Sequence, residues 1–176
     1  LDLNSMTVEE ITEKAQEEGE VNSAGMPDEW ANWKATWDDI QNKYGLEHID
    51  TDLSSAEELS LFETEKDDAT KDIGDVGETY AAIAEEQGLT LKYKTSYWDE
   101  IPDWAKDDDG DWIIAYYGTM ALLTNTRLVE DAPTSFQDIL EGDYVVSIGD
   151  VARSTRAQYA VLAAAYAMGG DESNIQ

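Results

Sequence analysis

The sequence predicts an α/β protein, a parallel-type sheet with helices flanking it. Three observations carry that expectation. Over the first half of the chain, β-like apolar runs alternate with runs at helical spacing. Hydroxyl–glutamate pairs spaced by three mark helix starts, and the turns after the β-like runs are rich in serine and glycine. With right-handed crossovers, such βα turns fall along one edge of the sheet, where open α/β sheets bind ligands.

The elements follow in order. Thr7 and Glu10 form a capping box ahead of Ile11 and Ala15, and Gly19 ends that helix. Glu20-Val21-Asn22-Ser23 reads as the first strand and runs into Ala24-Gly25-Met26-Pro27. Asp28 is expected to cap a second helix, on which Trp30, Trp33, Trp37, Ile40 and Tyr44 share a stripe that Gly45 closes. A second strand is expected over residues 46–51. Ser55 with Glu58 then offers a capping box to a helix whose apolar positions are Leu59 and Phe62. Residues 72–76 form the third expected strand, and Gly77 leads into a helix carrying Tyr80, Ile83 and Ala84.

The pattern changes after Leu89. Residues 93–111 hold Trp98, Pro102, Trp104 and the acidic run Asp107-Asp108-Asp109-Gly110-Asp111, an irregular stretch closed by an Asp-Gly turn. Residues 112–117 and 120–124 read as strands on either side of Gly118-Thr119. Pro133-Thr134-Ser135 precedes an amphipathic helix with Phe136, Ile139 and Leu140. Residues 144–148 read as a strand, and 156–168 as an Ala-rich helix ended by Gly169-Gly170. The change near residue 115 divides the chain into a first α/β lobe, 1–115, and crossing strands with the first part of a second lobe, 116–176.

Composition narrows the function classes. The 176 residues include 41% hydrophobic side chains, enough to bury a core. Forty Asp and Glu against eleven Lys and Arg give a formal net charge of −29. Such a surface repels phosphate backbones and anionic bilayers, so no nucleic-acid partner is expected. The absence of cysteine removes disulfides, thiolate chemistry and cysteine-ligated metal sites. His48 is the only histidine, so a histidine-based metal centre cannot be assembled, and no metal or other cofactor is expected. No apolar run reaches the roughly 18–20 residues that cross a bilayer, so no membrane insertion of this segment is expected.

Two segments carry a family resemblance. One is Tyr117-Gly118-Thr119 with Thr124-Asn125-Thr126-Arg127-Leu128-Val129 and Ala132-Pro133-Thr134-Ser135-Phe136. The other is Ser147-Ile148-Gly149-Asp150-Val151-Ala152-Arg153-Ser154-Thr155, with the Ala-rich helix and Gly169-Gly170-Asp171 behind it. Together they resemble the extracellular solute-binding proteins of ABC importers, in the group that contains iron(III), polyamine, thiamine and phosphonate binders. The resemblance implies a type II periplasmic-binding fold, in which two α/β lobes joined by crossing strands close by a hinge on a solute in the cleft. It also implies a non-catalytic, monomeric receptor outside the cytoplasm, exported and lipid-anchored or free, that hands a small-molecule solute to an ABC permease. Members of the group are much longer, so the chain is expected to be an N-terminal fragment that stops within lobe two.

In such a fold the site is expected at the strand-end turns and helix starts, where unpaired backbone N–H groups face the ligand. The first turn offers Ser23, Gly25 and Met26, the second Ser54 and Ser55, and the third Asp75 and Gly77. Serine hydroxyls donate and accept, and glycine lets a ligand approach the backbone. Ser55 serves equally as a plain helix cap. At the lobe crossing, Tyr117 and Thr119 can stack on or hydrogen-bond to the solute, or belong to the core. Arg153, Ser154 and Thr155 lie at the last helix start, where an arginine can grip a carboxylate, phosphate or phosphonate in two parallel bonds. Arg153 can equally pair with a surface acid, and Asp150 can meet a cationic group or shape its loop. The expected solute is small and polar with an anionic group, followed by a polyamine and then iron(III).

The competing classes have less in their favour. A small α/β hydrolase or transferase needs an activated serine, and no Gly-x-Ser-x-Gly elbow is present. An adhesion module has no use for Ser/Gly turns at each strand end. The Trp30/Trp33/Trp37 stripe reads as core packing rather than as an aromatic cage. The run 107–111 lacks the glycine position and distal glutamate of an EF-hand and reads as a solvated hairpin turn.

Overall fold

A computed structural model describes residues 2–175 and divides them into two compact units, one ending at Tyr116 and the other starting at Tyr117. The first unit is built on three parallel strands in the order β2-β1-β3: β1 Glu20–Ala24, β2 Glu47–Thr51 and β3 Ile73–Gly74. Between and beside them run α1 Val8–Glu18, α2 Trp33–Tyr44, α3 Ser55–Thr64 and α4 Glu78–Glu86. Strand, helix, strand, helix, strand, helix is the alternation the sequence predicts, and the parallel pairing is what such crossovers enforce.

Local signals explain most boundaries. Thr7 Oγ1 accepts from Glu10 N (3.2 Å) while Glu10 Oε2 accepts from Thr7 N (2.8 Å), closing the expected capping box. Gly19 and Gly45 end α1 and α2 in the left-handed region, at φ +81° and +77°. Trp37, Leu46, Leu59, Ala81 and Ala84 supply the buried core around the sheet. Residues 93–111 are irregular as expected, with short 3-10 turns at Trp98–Glu100 and Asp103–Ala105. Asp107 Oδ2 holds the acidic turn closed by accepting from the amides of Asp109, Gly110 and Asp111.

Four expectations need correction. The second helix starts at Trp33 rather than behind Asp28, because Ala31 and Asn32 take positive φ, 47° and 62°, which breaks helical continuity. Trp30 therefore leaves the stripe and sits in the preceding turn. The capping box of α3 lies one residue earlier than read. Ser54 and Glu57 form it, Ser55 is the first helical residue, and Glu58 turns inside. The third strand shortens to Ile73–Gly74. Finally, residues 112–117, 120–124 and 144–148 form no ladder among the described residues; a single antiparallel bridge joins Lys106 to Ile113. Extended apolar runs become strands only where a neighbour takes their N–H and C=O groups along their length. Here Asp107 N donates to Trp112 O and Ala105 O accepts from Ile114 N, too short a pairing to make a strand.

Among the described residues the second unit holds α5 Phe136–Glu141 and α6 Thr155–Ala167, both close to their expected positions, and a short 3-10 turn at Glu172–Asn174. Ser135 caps α5 in a reciprocal box with Asp138 (3.0 Å), and Asp138 Oδ2 also accepts from Thr134. Those contacts hold the Asp138 carboxyl below the usual range, with the Thr134 amide as the largest cause. No helix among the described residues is long and apolar enough to cross a membrane.

Candidate functional site

Register sets the site. Ser23 lies opposite Asp50 and Ile73, and Ala24 opposite Thr51 and Gly74. The chain therefore leaves all three strands at one edge, and the turns carrying Gly25–Met26, Ser54–Ser55 and Asp75–Gly77 share a rim. Backbone bonds tie the turns together: Gly25 N donates to Thr51 O (3.0 Å) and Asp75 N to Ala24 O (3.1 Å). Ser55 Oγ accepts from Gly77 N at 3.3 Å, so a helix start on one turn holds the next.

Beneath the rim runs a polar seam. Ser23 is fully buried, and its Oγ donates to Asp50 Oδ1 (2.6 Å) and lies 2.7 Å from His48 Nε2. With the hydroxyl proton spent on Asp50, His48 must donate to Ser23 rather than withdraw a proton from it. A nucleophilic serine needs the reverse polarity. His48 stacks on Trp37 at 3.8 Å, and burial holds its pKa below the ordinary histidine value against the pull of Asp50 and Asp28. Asp50 Oδ1 also accepts from Met26 N (2.9 Å), and Met26 O accepts from Trp37 Nε1 (3.2 Å). Ser23 and Met26 therefore brace the rim from below.

Beside the third turn stands an aromatic corner around one carboxylate. Asp75 Oδ2 accepts from Tyr116 Oη (2.7 Å) and Trp33 Nε1 (3.1 Å), and Trp30 Nε1 donates to Tyr116 Oη (2.7 Å). Tyr116 meets both indoles edge-on, with centroids 6.4 Å from Trp30 and 6.1 Å from Trp33. Trp30 and Tyr116 stay about two-fifths exposed, 39% and 42%, so the rings remain open to solvent. The second oxygen of Asp75, Oδ1, takes none of these bonds.

Glu58 occupies the space between turns. It is 1% exposed, and neither carboxyl oxygen has a hydrogen-bond partner among the described residues. Gly25 (φ +68°) and Gly74 make room for it: a Cβ on Gly25 would overlap Glu58 Oε1, and one on Gly74 would lie 2.9 Å from Oε2. Burial, then the Asp75 charge, raises the Glu58 pKa to about 9, with Asp50 and Asp52 adding to the rise. The Asp75 amide moderates this from nearby, although its own hydrogen bond goes to Ala24 O.

Of the residues singled out in the sequence, the rim brings together Gly25, Met26, Ser54, Ser55, Asp75 and Gly77, with Ser23 below them. In the second unit, Asp150 O accepts from Arg153 N (3.1 Å) and Ser154 N (3.0 Å), a tight turn that delivers Ser154 to the start of α6. Arg153 is exposed, whereas Thr155 is buried with its Oγ1 unpartnered among the described residues. Tyr117 is 82% exposed, and Thr119 is exposed as well. Sequence reasoning missed Glu58, Trp30, Trp33 and Tyr116. The available signal was the pair Gly25 and Gly74, side-chain-free positions at two strand ends that leave a space for something large.

A family model described as bacterial extracellular solute-binding protein matches residues 68–176, and a search of the curated proteins returns no match. The matched segment includes the third turn, Tyr116 and the whole second unit; the first two turns precede it.

Proposed function

The chain belongs to the bacterial extracellular solute-binding proteins, and on that premise we propose that it is the receptor of an ABC importer for a small organic cation. The family is one of binders rather than catalysts, so the rim is read as a grip. The observation that carries the cationic reading is the Asp75 carboxylate, oriented by Trp33 and Tyr116 inside a half-open aromatic corner. A carboxylate beside aromatic faces suits an ammonium group, which gains both charge pairing and cation–π attraction. Delivery then proceeds by hinge closure, the solute favouring the closed state by the extra contacts it makes there, and an ABC permease recognises that state.

The anionic alternative is supported by the helix starts and by Arg153 ahead of α6. Within the first unit, Asp50, Asp52 and Asp75 around the rim oppose it. A thermal-shift series with putrescine, spermidine, choline, phosphate and 2-aminoethylphosphonate separates the two. The cationic reading expects the first three to raise the melting temperature, by about 2.7 kcal/mol of stabilisation at 100 times Kd. Stabilisation by the phosphorus compounds alone would overturn it.

A further inference from the structure

Glu58 is a whole carboxyl group buried where a solute-binding rim needs none for packing. It is walled by Gly25 and Gly74, left without a hydrogen-bond partner on either oxygen, and shut behind the turns rather than exposed on them. A structural acid normally finds donors, because an unsatisfied buried polar group costs about 1–3 kcal/mol. Here the nearby donor, the Asp75 amide, is spent on Ala24 O, and the charged neighbours are acids. The β2 end and its turn contribute Asp50 and Asp52, and the β3 turn contributes Asp75. The β1 turn contributes Gly25, α4 buries Ala81 and Ala84, and on α3 itself Glu57 is tied back to Ser54.

We propose that Glu58 is a concealed counter-charge, protonated in the empty receptor and ionised when an ammonium group enters the rim, so that solute capture expels a proton. The proposal rests on the cationic reading of the rim. Burial and the acids around Glu58 are what keep its proton on. A cation beside Asp75 offsets the acids and favours the ionised form, the proton passing from the carboxyl to bulk water. By linkage, the affinity for a fixed cation rises with pH for as long as Glu58 is protonated in the empty protein. Glu58 thereby becomes a specificity element as well: a neutral solute of the same shape gives it no reason to ionise.

The test is calorimetric titration of the full chain with choline, whose charge is fixed, and with putrescine, between about pH 6 and 8 where lysine-like amines stay charged. Running it in two buffers of different ionisation enthalpy counts the protons. Release approaching one proton per solute is expected, with affinity rising up to about tenfold per pH unit. Glu58→Gln should lose the proton release and the pH dependence, its affinity falling below that of the unaltered chain by a factor that grows towards pH 8. Binding without proton release in the unaltered chain would overturn the role of Glu58 and leave the cationic rim standing. Binding of neither amine would remove both. Carboxyl infrared difference spectra of solute-free protein, with and without Glu58→Gln, add an independent arm: an ionised Glu58 at neutral pH overturns the proposal without any solute.

Discussion

Tyr116 donates its phenolic proton to Asp75 Oδ2 at 2.7 Å, across forty-one positions of sequence. The last residue of the first unit is thereby fastened to the turn behind β3, and the same oxygen accepts the indole of Trp33. The turn fixes the Asp75 backbone through Ala24 O, and the two rings set where its carboxylate points.

Replacing the phenol tests that dependence. Tyr116→Phe keeps the ring but removes the Asp75 bond and the acceptor for Trp30 Nε1. A stability loss of about 1 kcal/mol is expected in urea unfolding. A several-fold weaker affinity for a cationic solute should appear by calorimetry; unchanged binding would show that the corner does not orient the carboxylate.

Gly25→Ala meets two penalties at once. Its φ of +68° disfavours any side chain, and the new methyl would run into Glu58 Oε1. The expected loss exceeds about 1 kcal/mol. Adding Glu58→Ala should return the steric part and not the backbone part, so the two substitutions should be non-additive in a double-mutant cycle.

Stability should fall with rising pH through a window that Glu58 defines. Its folded pKa, about 9, lies above the ordinary 4.5, so the folded state holds a proton that the unfolded state gives up. The contribution is fully present below the ordinary value and is lost as pH rises towards the folded one, with a slope of about 1.4 kcal/mol per unit. Glu58→Gln should flatten this slope in melts recorded across the window. A wild-type profile already flat there would mean that Glu58 finds a donor in solution.

The α3 start distinguishes neighbouring serines. Ser54→Ala removes the hydroxyl that donates to Glu57 Oε2 at 2.6 Å and should cost about 1 kcal/mol in unfolding experiments. Ser55→Ala loses one long bond from Gly77 N and should cost less. Equal costs would put the cap back at Ser55.

Much of the first unit was legible because its signals are local. Capping pairs and helix-ending glycines act within a turn of the chain, and the β–α alternation leaves parallel pairing as the natural outcome. The one-residue slip at Ser54 arose because Ser54/Glu57 and Ser55/Glu58 have the same spacing; the three-dimensional need to cover Gly25 and Gly74 decides between them. Trp30 was misplaced for a comparable reason. Its spacing to Trp33 fits a helix, and only the positive φ values at Ala31 and Asn32 remove it. The runs at 112–117, 120–124 and 144–148 have strand-like composition, yet a strand is a relation between two segments, and composition specifies only one of them. The Asp75 corner joins residues 30, 33, 75 and 116, a juxtaposition no window of sequence contains.

The turn that detaches Trp30 from α2 equips the protein with its own optical probe. One indole, Trp33, stands against the carboxylate, and a second, the half-open Trp30, against the phenol that holds it, so a solute arriving there changes the polarity each excited ring senses. Titrations can be followed by intrinsic emission with no dye attached, and the variants Trp30→Phe and Trp33→Phe would reveal which ring supplies the signal.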